Sequence, residues 1–221
     1  MNAIIEMIVL CIIALISAVF AAWYQNYYLN GEKERMSVVL KSEKKSLIIF
    51  MGIFVFFAAA SVMLNQYKEN ALNILCENQI CWSTILLIAI IDFKMKKIPN
   101  HLLLFLLAAR GGFLIVQIIL KPSQVLSLIL FSIVGFIVGG LVMFACLLVS
   151  RGGVGEGDMK LFAIIGAYFG FSGVMSIMLY SLFLAAIVSI TLLICRKAKL
   201  KSTLAMAPFI SAGLTIYIAL F

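Results

Sequence analysis

Long stretches with scarcely a charge recur along the whole chain, and they leave few folds open. Backbone amides in hydrocarbon have no water to bond, so runs of about 18 or more apolar residues become spanning helices. Read in order, the runs occupy residues 3–24, 47–64, 72–92, 102–120, 125–149, 161–171, 174–195 and 203–220. Hydrophobic residues make up 65% of the chain and charged residues 12%, against about 45–50% and 25% in soluble domains. With a mean hydropathy of +1.19, the sequence reads as an integral membrane protein and not as a globule with a large core. The expected fold is all-α, a polytopic bundle of about eight transmembrane helices in one integrated membrane domain. Within it, residues 1–79 form an N-terminal two-helix region and residues 80–221 a six-helix core.

Charge placement orients the bundle. Basic residues near membrane spans favour the cytoplasmic side. If the N-terminus lies outside, loops 25–46, 93–101, 150–160 and 196–202 share one side. Those four hold all of the 17 lysines and arginines except Lys68, Arg110 and Lys121. The formal charge of +8 is thus accounted for by topology and calls for the lipid bilayer, with no nucleic-acid partner. The first run carries Glu6 and no basic residue at its start, so it reads as a span and not as a signal peptide. The expected location is a membrane, which the chain crosses several times. The five cysteines form no C-x-x-C pair and make no zinc site. Cys76 and Cys81 share one polar stretch, where a pairing is open if that stretch faces an oxidising compartment.

Few side chains remain that can do chemistry. The chain has two aspartates, Asp92 and Asp158, and one histidine, His101. Both aspartates fall at membrane boundaries on the expected cytoplasmic side. Ionisable groups at such depth are costly and mark function, although each would also serve simply to end a helix beside basic loops. Asp92 closes an apolar run in "AIIDFKMKKIPN", and Pro99 then sets a turn. Asp158 follows the glycine-rich break "SRGGVGEGD", which reads as a wet, flexible loop at membrane depth. Gly155 and Gly157 are assigned there to loop geometry. Glu156 contacts a substrate or keeps the loop hydrated, and Lys160 tempers the charge of the aspartates or anchors the next helix.

Two carboxylates sharing one niche tend to hold a single proton. The ionised member can then activate water while the protonated one polarises a peptide carbonyl, with no metal and no cofactor. Other chemistries find less support. H-E-x-x-H, G-x-S-x-G and G-K-[ST] are all absent. Two other readings use the same residues: a phosphotransferase holding Mg²⁺ through Asp92, Glu156 and Asp158, and a transporter with broken helices. Arg110, mid-span in "LLAARGGF", has no partner that the sequence can name.

At these places the chain resembles the bacterial type IV prepilin peptidases, members of the G-x-G-D membrane aspartyl proteases. "GEGDMK" is similar to the family's G-x-G-D-x-K element and "DFKMKKIPN" to its aspartate, basic stretch and I-P-N. "MAPFISAG" is similar to its C-terminal P-F segment. The resemblance covers about residues 80–221. It implies a membrane aspartyl endopeptidase with Asp92 and Asp158 catalytic. It also implies prepilin or pseudopilin precursors as partners, with a short basic leader, a glycine at the cut and an apolar helix beyond, cleaved at the cytoplasmic face. Pro208 would free a carbonyl one turn earlier in the last span, where an extended substrate can pair, or would simply kink that helix. Many members carry two cysteine pairs that bind zinc, linked to N-methylation of the product. Loop 25–46 has no cysteine, which indicates a peptidase without methyltransferase activity.

Overall fold

The computed structural model describes residues 2–30, 72–150, 155–195 and 204–220. The expected second span, 47–64, and most of loop 25–46 lie outside the described residues. Those described are helical: α1 (Asn2–Asn30), α2 (Leu72–Met95), α3 (Asn100–Leu120), a 3₁₀ turn (Pro122–Gln124), α4 (Val125–Ser150), α5 (Glu156–Ile194) and α6 (Ala207–Leu220). Among them α2, α3, the segment Pro122–Val149 and α5 are long and apolar enough to cross a membrane. α3, for example, has 21 residues, about 31 Å at 1.5 Å per residue, which matches a hydrocarbon core of about 30 Å.

The chain divides into two compact units, Met1–Leu87 and Ile88–Phe221, with the boundary inside α2. In the first unit, Leu10, Ala14, Ala18 and Ala21 form a buried stripe along α1, while Ile12, Ile16 and Val19 point outward. Cys76 and Cys81 both lie in α2 as free thiols, so the disulfide left open by the sequence does not form. Five residues apart on one helix, they point in different directions.

In the second unit the helix ends follow from local chemistry. α2 stops where Lys96 takes φ 53° and its N–H bonds to the Asp92 carbonyl at 2.7 Å. Pro99 then opens α3 through its carbonyl, which accepts from Leu102 N–H at 3.2 Å. Pro122 starts the 3₁₀ turn that leads directly into α4.

α5 is where expectation and structure part. Its 39 residues would reach about 58 Å if straight, nearly twice the bilayer core. At Gly170 the backbone instead takes φ 66°, ψ −170°, a conformation essentially reserved for glycine. The helix doubles back there. Phe162 and Val174, twelve residues apart in sequence, both stand against Gly139 of α4. The break expected at Ser172–Gly173 therefore falls at Gly170, without an intervening loop.

The first arm of α5 is the core of this unit, and residues 161–170 are all buried. It packs on α4 through glycines. A Cβ on Gly135 would strike the Gly166 carbonyl, and a Cβ on Gly166 would strike that of Gly135; one on Gly139 would lie 2.5 Å from the Phe162 oxygen. Such small residues let helices approach where lipid gives no hydrophobic drive. The returning arm packs on α6, where Gly213 rests on Ser181, and at the end of the first arm the Phe169 ring meets Tyr217 of α6 edge-on at 5.4 Å. Arg110 also finds its surroundings. It is buried among α3, α4 and α5, where it donates to Ser132 Oγ at 2.6 Å and stands over the Tyr168 ring at 5.8 Å. Tyr168 in turn donates to the Leu106 carbonyl at 2.8 Å.

Candidate active site

The two aspartates come from different helices and lie at the same end of the second unit, near enough for their charges to act on each other. Asp92 lies in the last turn of α2 and is buried, only 6% exposed. Its Oδ2 accepts the Ala207 N–H at 3.0 Å, and the Met206 amide is also directed toward it. These amides belong to the start of α6, whose first N–H groups have no partner within the helix. The carboxylate thus fastens the end of α2 to the beginning of α6, 115 positions away. Lys96 is near enough for its charge to act on Asp92.

Asp158 is half-buried in the first turn of α5. Its Oδ2 accepts the Gly155 N–H at 3.3 Å. The carboxylates of Asp92 and Asp158 lie close enough that the charge of one acts on the other. What holds the two backbones together is Gly157. A Cβ there would lie 2.9 Å from Ile98 Cβ, so the absence of a side chain lets the "GEGD" turn close onto the "KKIPN" segment.

These positions revise the loop reading. α5 begins at Glu156, five residues before the expected start at 161, so Glu156, Gly157, Asp158 and Lys160 are helical. Acidic side chains in a first helical turn are favoured by the exposed amides and the helix dipole. Gly155 has ordinary extended angles, φ −81° and ψ 145°. Its glycine leaves room for the Asp158 carboxylate, since a Cβ would lie 3.1 Å from Oδ2. Pro208 is corrected as well. α6 starts at Ala207, so the proline occupies the first turn, where its missing N–H costs nothing, and it kinks no helix. The non-helical residues are Leu204, Ala205 and Met206, just ahead of it. Glu156 and Lys160 are exposed. Among the described residues no three His, Cys, Asp or Glu side chains gather as a metal-binding group.

Sequence reasoning missed Ile98 and Ala207. Ile98 was quoted within I-P-N but given no task. Ala207 contributes only an amide, which carries no residue-type signal.

The type IV leader peptidase family matches residues 79–190, a stretch that contains both aspartates and the turns that carry them. The chain belongs to that family. It is 28% identical over 131 residues to the prepilin leader peptidase/N-methyltransferase of Bacillus subtilis (strain 168), covering 59% of this chain and 50% of that protein. The match thus spans half the length of that relative. No solved structure matches. Family membership and the apolar helices together mark this as a membrane protein; Ala207 and Pro208 lie beyond the matched stretch.

Proposed function

We propose that the protein is a membrane aspartyl endopeptidase that removes the short basic leader from prepilin-like precursors at the cytoplasmic face of a bacterial plasma membrane. The observation that supports this reading is the nearness of Asp92 and Asp158, whose charges act on each other where Gly157 packs against Ile98. Like charges so close favour one shared proton. The ionised carboxyl removes a proton from water, and the water oxygen attacks the scissile carbonyl carbon. The protonated carboxyl gives its proton to the carbonyl oxygen. The tetrahedral species then collapses: one of its hydroxyls returns a proton to the carboxylate that had donated one, the C–N bond breaks, and the amine leaves with the proton first taken from water.

Positioning matters as much as acidity. The Ala207 amide holds Asp92, and the Gly155 amide holds Asp158. The non-helical residues Leu204, Ala205 and Met206 adjoin Asp92 and offer backbone to which an extended substrate strand can pair. An extended substrate is needed, because a helix hides its carbonyls. The topology behind this reading has eight spans with the N-terminus outside, and residues 80–221 form the peptidase core. The relative's name includes N-methyltransferase. Loop 25–46 of this chain contains no cysteine, so we assign leader cleavage alone.

The test is to purify the protein and the Asp92→Asn and Asp158→Asn variants, and to incubate each with a leader peptide containing the glycine junction. Products are weighed by mass spectrometry. The expected result is cleavage by the parent protein and a loss of at least about 10³-fold in each variant, the scale of losing a general acid or base. The product N-terminus is expected to carry no added methyl mass. Parent-level rates in either variant would remove the aspartyl mechanism.

A further inference from the structure

An apolar groove of about 560 Å³ runs along the second unit between α3, α4 and the first turns of α5, and neither the aspartate pair nor the helix packing explains it. Its walls include Leu104 and Leu107 of α3, Ile137 and Leu141 of α4, and Ala163 of α5. Leu104 is 67% exposed and Leu141 59%. In a membrane protein such surfaces face hydrocarbon. The groove therefore admits an occupant arriving sideways through the bilayer.

Its polar members are Asn100 and Lys160, and both mark the end nearest the aspartates. Met159 and Lys160 directly follow Asp158 on α5. Asn100 opens α3 two residues after Ile98, the residue that packs against Gly157. One end of the groove thus begins at Met159, the residue next to Asp158, and from there the lining is apolar.

Gly140 supplies an independent observation. Gly135 and Gly139 are demanded by packing, since a Cβ on either would run into the backbone of α5. A Cβ on Gly140 would meet only Ala163 Cβ at an ordinary 3.4 Å. Helix packing leaves room for a side chain there, and what its absence does is deepen the groove.

We infer that this groove seats the apolar helical segment of the substrate that continues past the scissile bond into the membrane. The inference rests on the peptidase reading, which requires a chain drawn out at the aspartates and continuing into lipid on one side. Apolar residues on one face of such a helix fill the groove between α3 and α4, with Gly140 allowing close approach, as small residues do between membrane helices. Asn100 and Lys160 mark the level at which the helix gives way to extended chain.

The test uses the full-length protein in vesicles of phosphatidylethanolamine and phosphatidylglycerol. The probe is a synthetic precursor with a basic leader, a glycine junction and a Leu/Ala helix of about 20 residues, long enough to span. A photo-cross-linking amino acid replaces Leu104 or Leu141 in the groove, or Ile119 or Leu126 on exposed faces elsewhere, in an Asp158→Asn background that keeps the precursor intact. The groove positions are expected to capture the precursor about tenfold more than the others, the ratio that 1.4 kcal/mol of preference gives. Adding Gly140→Leu is expected to lower that capture by a similar factor. Equal capture at all four positions, or adducts to phospholipid alone at the groove, would overturn the inference. Processing of the same precursor by the parent protein is measured in parallel. Absence of cleavage there speaks against the peptidase reading, and the cross-links still report what occupies the groove.

Discussion

The glycines between α4 and α5 and the glycines beside Asp158 are the same residue used to hold different things close. Between the helices, Gly135 and Gly166 bring two backbones together face to face. Neither has a positive φ, which among described glycines belongs to Gly170. Beside the aspartates, Gly157 brings two turns together through the Ile98 side chain, and Gly155 makes room for a carboxylate. One set fixes the spacing of whole helices. The other fixes the spacing of two functional groups. A glycine-rich motif that reads as flexible is, in both places, a device for close approach.

This contrast predicts that damage at the helix seam appears as lost fold, while damage at the site appears as lost rate. The largest effect belongs to Gly135→Leu and Gly166→Leu. Each places side-chain atoms on an opposing backbone carbonyl, which cannot swing away as a side chain can. Overpacking of this kind costs about 3 kcal/mol or more. The expected outcome is aggregated protein on size-exclusion chromatography in detergent. A monodisperse Gly166→Leu protein with the parent's melting temperature would show that the seam is looser than its geometry.

Gly170→Ala comes next and combines two costs. A backbone at φ 66°, ψ −170° costs a residue with a side chain about 1–3 kcal/mol. The new Cβ would also strike the Phe131 ring, which is itself 46% exposed and has somewhere to go. A double-mutant cycle with Phe131→Ala separates the two. The steric part is expected to vanish in the double variant. The remainder, about 1–3 kcal/mol of backbone strain, is expected to persist.

At the site, Gly157→Val sharpens the comparison from the other side. The added branches meet Ile98 and push the turn carrying Asp158 from the segment following Asp92. A displacement near 1 Å can lower a rate by about 100-fold. The expected result is a fall in leader cleavage of about tenfold to 100-fold with little change in melting temperature, partly restored by Ile98→Ala. If Gly157→Val unfolds the protein instead, the two classes of glycine are not distinct.

The sequence conveyed the long helices well for a physical reason. Runs bounded by proline or by charge have sharp ends, so 102–120 and 125–149 were placed within two residues of α3 and α4. The start of α5 was misjudged because glycine and acidic residues read as loop, although Glu156 and Asp158 are also what a helix N-terminus favours. The start of α6 lies four residues later than the apolar run suggests, because Pro208 reads as interior to the span when proline in a first turn is a start signal. The pairing of Asp92 with Ala207 was not legible at all. A backbone amide has no residue identity, and its partner lies 115 positions away. The surroundings of Arg110 were hidden for a similar reason. Ser132 and Tyr168 become its neighbours only through the seam that packs α4 on α5.

The smallest expected effect lies where glycine is missing. Lys96 ends α2 at φ 53°, the position where helices most often use glycine. Replacing it with glycine removes the Cβ strain but adds freedom to the unfolded chain, for a net gain of about 0.5–1 kcal/mol. That corresponds to a rise of about 1–4 °C in melting temperature for a chain of this length. The substitution also deletes the positive charge that acts on Asp92. Lys96→Asn keeps tolerance for the left-handed region and is likewise uncharged. If the lysine matters for its charge, both variants lose leader-cleavage rate to the same degree while their stabilities differ. If it matters only as a helix end, both keep the parent rate, and the carboxylate pair is held by Gly157 and Ala207 alone.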